Sequence, residues 1–415
     1  MTEPAETFEW YVGIDWGTAE HAWCLLDARG TVRGERRVPH TAEAIHTALQ
    51  WVAAVTGAAP PAIAVGIETP HGALVDTFLE HGYAVFALNP KQLDRFRDRF
   101  TTAGAKDDTR DAHTIGDAMR TDRRAFRAVR VDDPHVIGLR ELCRIVDDLQ
   151  TDEQRLANRL REQLYRVHAP WLTLCAAADE PWLWTVLAEA PHPDAWARLP
   201  RRRLTSVLKT HRIRRLTAEA VREALQQPRL HVAAGVTDAV ATRIASLVPQ
   251  LQLVHRQRRD TERQIERRLA QLAEPDGEPR EHRDVEILRS LPGVGRMVAA
   301  TMLTEASGLL AARDYATLRR YGGAAPVTKR SGKRQFFVHM RYACNPRLRN
   351  ALYHWARTSI QQDVAARAYY DHLRARGHKH ARALRSLANR WLRILMAMLT
   401  TGTVYDSSRC AAVAA

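Results

Sequence analysis

Four carboxylates stand where two strands and a helix would gather them. Asp15 closes the apolar run 12–14, and Glu68 closes the run 65–67. Adjacent strands that stop at the same level put such residues side by side. Asp108 and Asp111 are three residues apart on a stretch with helical periodicity, so both project from one face, one turn apart. Four convergent carboxylates repel one another unless a cation neutralises them, and hard divalent cations such as Mg²⁺ favour oxygen donors. Two such ions about 4 Å apart activate a nucleophile and stabilise the leaving oxygen in phosphodiester cleavage. Each acid alone has a plainer reading, since strand ends often carry acidic caps and Asp pairs spaced by three often line a solvated helix face. The combination in this order points to a two-metal site for Mg²⁺, with Mn²⁺ as the substitute. Asp107 borders Asp108, and spacing does not separate the two.

A second group lies toward the other end. Leu291, Pro292, Gly293, Val294 and Gly295 separate helix-like stretches at 285–290 and 297–306. This is the helix-hairpin-helix pattern, in which Gly293 and Gly295 let backbone amides approach a phosphate at a helix N-terminus. A tight turn between packed helices would use the same glycines. Ser331 stands in a basic loop, with Lys329 and Arg330 before it and Lys333 and Arg334 after Gly332. Cations placed against a hydroxyl help stabilise a serine nucleophile, whereas composition alone favours a turn that contacts phosphate at most. Beyond it come Arg341, Asn345, Arg347, Arg349, Arg357, Arg374, Arg376, Lys379, Arg382 and Arg385, interleaved with Tyr353, Trp355, Tyr369 and Tyr370. That mixture suits nucleic-acid backbone contacts and base stacking, and core packing would claim several of the aromatics.

Charge agrees with a polyanionic partner. The 415 residues carry 62 Lys and Arg against 47 Asp and Glu, a formal net charge of +15. An excess of this size favours nucleic acid, although a basic ribosomal or membrane-associated protein would share it. The first ten residues hold no apolar leader core, and no run of about 20 apolar residues could span a bilayer. A cytoplasmic protein with no membrane partner is therefore expected. Cys24, Cys143, Cys175, Cys344 and Cys410 are scattered and never spaced as C-x-x-C. They fit thiols in a reducing compartment and leave oxygen donors to hold any catalytic metal.

Positioning these residues takes more than one domain, because 415 residues exceed the ~50–250 of a usual single core. Residues 11–16, 21–26 and 31–38 read as a meander of short strands, with a hairpin turn at 27–30. A helix over 42–55, a buried strand over 62–67, a helix over 72–81, a strand over 84–88 and helices over 90–99 and 107–120 follow. Three antiparallel strands and then β-α units is the order of an RNase H-like α/β fold, a mixed sheet with helices on both faces, expected over residues 8–125. Apolar residues at three- and four-residue steps then mark two long helices. One carries Leu139, Leu142, Val146, Leu149, Leu156, Leu160 and Val167, the other Ile244, Leu247, Leu251, Val254, Ile265 and Leu272. Both read as coiled-coil or long-hairpin seams interrupted by Glu153 and Arg258, and pairing within one chain or between copies is equally open. They bound a region, 135–275, whose interior at 170–235 is rich in Pro, Trp and Arg and shows no clear pattern. Residues 276–279 read as a linker. A mainly helical unit over 283–405 contains the glycine turn, a strand-like patch at 335–340 and a long amphipathic stretch through 384–399.

Residues 13–18, reading Gly-Ile-Asp-Trp-Gly-Thr, also fit the first phosphate loop of sugar kinases and actin-like ATPases. That fold needs a second phosphate loop and an adenosine loop downstream, and the sequence offers neither. Taken together, the motifs resemble the DEDD transposases of the insertion-sequence one-ten type, also described as bridge-RNA-guided recombinases. The resemblance is carried by residues 13–15, Ile67 with Glu68 and Thr69, the run 106–112, the glycine turn 291–295, the run 323–326, Ser331 with Gly332 and Lys333, and the run 344–349. It covers nearly the whole chain and implies a RuvC-like first domain, a coiled-coil middle and a C-terminal transposase domain. It also implies that Asp15, Glu68, Asp108 and Asp111 bind metal and that Ser331 attacks DNA to form a phosphoserine link. DNA recombination would then be guided by a structured RNA that the element encodes. The working form would be a homo-oligomer, a tetramer or dimer of dimers, with the carboxylates of one subunit completing a site around the serine of another. Three departures stand out. The family's Lys-Thr-Asp run is Lys106, Asp107, Asp108 here, the Pro- and Trp-rich middle is longer than in compact members, and Arg341 to Asn345 replace a Lys-x-Gly-Asn segment.

Overall fold

The computed structural model describes residues 8–69, 72–99, 107–129, 133–233, 235–272, 279–331 and 334–407. The chain divides into two compact units, Met1–Asp132 and Asp133–Ala415. In the first, β1 (Trp10–Asp15), β2 (Glu20–Asp27) and β3 (Val32–Pro39) form an antiparallel meander. β4 (Ile63–Ile67) lies parallel to β1, and β5 (Ala84–Ala87) parallel to β4. A two-residue strand, β6 (Arg127–Ala128), completes the order β3-β2-β1-β4-β5-β6 and is too short to leave a sequence pattern. Helices α1 (Ala42–Thr56), α2 (Ala73–Glu80), α3 (Pro90–Arg97) and α4 (Asp108–Asp122) cover both faces. Val12, Ile14, Trp23 and Leu25 share a core with Leu49 of α1 and Phe78 of α2. The alternate residues Tyr11, Cys24 and Leu26 share one with Leu93 of α3 and Ile115 and Met119 of α4. Double coverage explains why β1, β2 and β4 are nearly continuous apolar runs, whereas the edge strand β3 stays exposed and charged. The mixed α/β fold read from the sequence is present, with element bounds within about two residues.

The crossing of α4 over the sheet is unusually close. Gly13 and Gly66 are register partners on β1 and β4. A Cβ on Gly13 would lie 1.9 Å from the Ala112 carbonyl oxygen and 2.4 Å from the Gly116 amide nitrogen. Helix backbone therefore rests on strand backbone, an approach only glycine allows.

The second unit is built on α5 (Pro134–Val167) and α11 (Val236–Leu272), about 51 and 55 Å long at 1.5 Å per residue. They run antiparallel within the chain. Leu139, Cys143 and Val146 share a core with Ile265 and Leu269, while Leu156, Leu160 and Leu164 share another with Ile244, Leu247 and Leu251. The two polar interruptions of the seam meet each other. Arg258 donates from Nε to Glu153 Oε2 at 2.7 Å and from Nη1 to Glu262 Oε1 at 2.9 Å, and His255 Nδ1 lies 3.1 Å from Glu153 Oε1. Both carboxylates are buried. Arg258→Met keeps the apolar stem and strands the two acids. A loss of about 2 kcal/mol is expected, below the ~3–5 of a fully buried pair because His255 and Arg296 remain. A lower urea midpoint at unchanged slope would register it; an unchanged midpoint would show the network to be idle.

Between the long helices lie α6 (Trp171–Leu174), α7 (Pro181–Glu189), α8 (Pro193–Trp196), α9 (Arg201–Thr210) and α10 (Ala218–Gln226). They enclose Trp171, Trp182, Trp184 and Trp196, all buried. Residues 276–278 of the expected linker lie outside the described residues, and Pro279 opens α12 (Pro279–Ser290). Then come α13 (Arg296–Glu305), α14 (Ser307–Ala311) and α15 (Tyr315–Tyr321). A hairpin of β7 (Val327–Ser331) and β8 (Arg334–His339) precedes α16 (Pro346–Gln362), α17 (Val364–Ala375) and α18 (His380–Thr401). These C-terminal helices share their core with the start of α5 and the end of α11, so the helical middle and the C-terminal region form one unit.

Candidate metal centre and serine hairpin

β1 and β4 pair in parallel with Ile14 opposite Ile67, so Asp15 and Glu68 follow at the same level on neighbouring strands, whose axes lie about 4.8 Å apart across the sheet. Both are half-buried. The glycine crossing brings α4 down beside them. Asp111, immediately before the Ala112 that rests on Gly13, is 2 % exposed, and Asp108 one turn earlier is exposed. Asp107 is the N-cap of α4, with φ −149° and ψ 129°, yet its side chain makes no capping bond.

Arg97, which the sequence reading missed, lies at the end of α3 and grips Asp111 with two hydrogen bonds, Nε to Oδ1 at 2.5 Å and Nη2 to Oδ2 at 2.8 Å. It also donates to Asp94 at 2.6 Å. Burial disfavours its charge, but the bond to Asp111 and the fields of Asp111, Asp94 and Glu68 outweigh this and raise its pKa. Arg37 of β3, raised chiefly by its hydrogen bond to Glu20, also feels Asp108 and Asp107. The centre is thus an acidic locus with arginines at its border. Among the described residues, no three of these acids bring ligand atoms within 4.8 Å of one another. The group that does is Cys175, Asp179 and Glu180 in the second unit. Burial pushes the Cys175 thiol up to about 11, and Glu180 accepts from Trp182 Nε1 at 2.9 Å and from Arg215, so that group reads as packing.

Ser331, expected in a loop, instead ends β7, paired with Arg334 on β8. Lys329 and Arg330 precede it on the same strand. Gly332 and Lys333 lie outside the described residues.

Two stretches of the sequence match known transposase families. A DEDD-type transposase model matches residues 12–169, and one described as the transposase IS116/IS110/IS902 family matches 285–371. The putative transposase y4uE of Sinorhizobium fredii is 46 % identical over 209 residues, which cover 50 % of this chain and 58 % of that protein. The mini-circle putative transposase for IS117 of Streptomyces coelicolor is 30 % identical over 407 residues, 96 % of each chain. An uncharacterized 43.6 kDa protein of insertion element IS110, also from Streptomyces coelicolor, is 30 % identical over 411 residues, 97 % of each chain. The chain belongs to the IS110 family of transposases.

The first matched stretch holds all four acids of the transposase, and the second holds the glycine turn and the serine hairpin. At the turn, Gly293 has φ +84°, and a Cβ there would lie 2.6 Å from the Ser359 amide nitrogen of α16. Its own N–H donates to Gln362 Oε1 at 2.7 Å. Gly293 is thus engaged in helix packing, and the phosphate reading of this turn falls to Gly295, whose Cα faces open space. Asn345 caps α16, its Oδ1 accepting from the Leu348 N–H at 3.0 Å while its Nδ2 donates to Glu305 and to Tyr321. Arg347 pairs with Asp147 at 3.0 Å. The Arg341 Nε is buried with no hydrogen-bond partner among the described residues. Arg349 lines a cleft. Among the described residues no helix of the transposase is long and apolar enough to cross a membrane.

Proposed function

We propose that this transposase moves its insertion sequence by cutting and rejoining DNA through Ser331, with divalent ions, Mg²⁺ foremost, held by Asp15, Glu68, Asp108 and Asp111. The level stop of β1 and β4 beneath the helix carrying Asp108 and Asp111 is the observation that carries this reading. Four acidic oxygen donors suit a hard cation, and the grip of Arg97 on Asp111 supports a locus that demands positive charge. Bound there, divalent ions would polarise the phosphodiester and steady the departing oxygen.

Ser331 Oγ forms a bond to phosphorus as the bond to the leaving sugar oxygen breaks. The serine proton passes to solvent or a nearby base, and the leaving oxygen takes one up. Because the product is again a phosphodiester, a hydroxyl of another strand can attack it and release Ser331 without ATP. Lys329, Arg330, Lys333 and Arg334 flank the serine in sequence and supply charge for the phosphate. An RNA encoded by the element selects the DNA, and a homo-oligomer, tetramer or dimer of dimers, brings the acids of one subunit to the serine of another. The net charge of +15 supports extensive nucleic-acid contact.

Labelled element-end DNA incubated with the protein, its RNA and Mg²⁺, then run on a denaturing gel, tests this. A covalent protein–DNA band is expected from the intact chain and none from Ser331→Ala, Asp15→Asn or Glu68→Gln. Nicking by Ser331→Ala without an adduct would mean that water is the nucleophile and Ser331 only a phosphate contact.

A further inference from the structure

The second unit carries a cleft of about 1070 Å³ walled by α5, α11, α13, α16 and α18. Gly322 to Ala324, just before β7, and Met340, just after β8, line its rim. Both stems of the Ser331 hairpin therefore rise from this cleft, and five residues of strand at about 3.4 Å each carry Ser331 about 17 Å from it along the chain.

The charge of the walls is unbalanced. The acids Asp147 and Glu262 are already engaged, Asp147 by Arg347 and Glu262 by Arg258 and Arg296. Arg349 and Arg385 also line the cleft, and neither has a carboxylate partner among the described residues. The hydrogen bond that Arg385 makes is from Nη1 to the Met340 thioether at 3.4 Å, a weak acceptor. Burial and the neighbouring Arg382 lower its pKa, as befits a cation short of counter-charge. The first turns of α13, α16 and α18 also line the cleft, and none contains an acid, so the partial positive charge of three helix starts adds to the same sign. A guanidinium stays charged in any of these settings, so what the cleft lacks is an anion.

We infer that this cleft binds the phosphodiester backbone of a single DNA strand, with Arg349 and Arg385 on its phosphates. Taken as equidimensional, a space of this volume is about 10 Å across, less than the ~12 Å of the duplex major groove alone, so it suits one strand better than a duplex. DNA is chosen over RNA because the hairpin that springs from the rim carries the serine assigned to DNA, and in this the inference rests on the function proposed above.

The test is fluorescence anisotropy of the full chain with a fluorescein-labelled single-stranded DNA 20-mer, the matching duplex and the matching RNA, each across a salt series. Arg349→Ala with Arg385→Gln is expected to weaken single-strand DNA binding about tenfold or more near 0.15 M salt. The same pair should lower the slope of log K against log salt by about 1.4, some ~0.7 for each single-strand phosphate no longer neutralised. Arg349→Lys with Arg385→Lys keeps the charges and should retain most of that slope, which separates missing cations from a damaged fold. Arg202→Ala, which removes one charge from exposed α9, should leave the slope unchanged. An unaltered slope in the Ala/Gln variant, an equal drop from Arg202→Ala, or a loss confined to RNA or duplex would overturn the assignment. Failure of the covalent mechanism shows in the adduct assay, and failure of the cleft shows in the salt slope, so the two are read separately.

Discussion

Gly13→Ala should cost the transposase about 3 kcal/mol or more and abolish strand cleavage, the upper end of what overpacking does. The added methyl would meet Ala112 O at 1.9 Å and Gly116 N at 2.4 Å, both backbone atoms that no rotamer change can clear. α4 would have to lift off β1, carrying Asp111 and Asp108 away from Asp15. Gly66→Ala is the comparison, because its methyl would meet Met119 Cγ at 2.6 Å and Ile115 Cγ2 at 2.7 Å, side chains that can repack. Thermal unfolding of the full chain should separate the two by about 1 kcal/mol or more, given the usual range of overpacking costs. Equal melting of both variants would contradict the backbone-on-backbone crossing.

Arg97→Gln is the second large effect. Asp111 is 2 % exposed and takes two hydrogen bonds from Arg97, so removing the guanidinium leaves a buried carboxylate without its cation, at a cost of about 3–5 kcal/mol. If the acids around it bind divalent ions, Mn²⁺ or Mg²⁺ should raise the melting temperature of Arg97→Gln well beyond its effect on the parent chain, since a ligand stabilises by RT ln(1 + [L]/Kd). An equal metal-induced shift in both proteins would detach Arg97 and Asp111 from any ion site.

The first unit was readable in advance because doubly covered strands must be apolar throughout and acids at their ends interrupt that run visibly. β1 with Asp15 and β4 with Glu68 are such cases. Arg97 was invisible because its bond to Asp111 joins two helices across 14 residues, a spacing with no period. The seams of α5 and α11 were legible, but the interruptions at Glu153 and Arg258 looked like flaws until the helices were seen to run antiparallel and bring them together. The Trp-rich middle hid its helices because they are short and begin at prolines such as Pro181 and Pro193, so no residue repeats often enough to show a face. At β7, the basic run around Ser331 masked a strand that the pairing of Val327 with His339 reveals.

The antiparallel pairing of α5 with α11 bears on how the chain is made. Leu139 and Leu269 share one core although 130 residues separate them. A ribosome adding ~5–20 residues per second needs roughly 6–26 s to supply the second after the first. The sheet of the N-terminal unit draws on residues that have all been translated by then, whereas the apolar stripe of α5 waits bare in water for its mate. Newborn copies are thus most vulnerable to clumping and to chaperone capture over that interval, after the first unit has closed and before the one bearing Ser331 can.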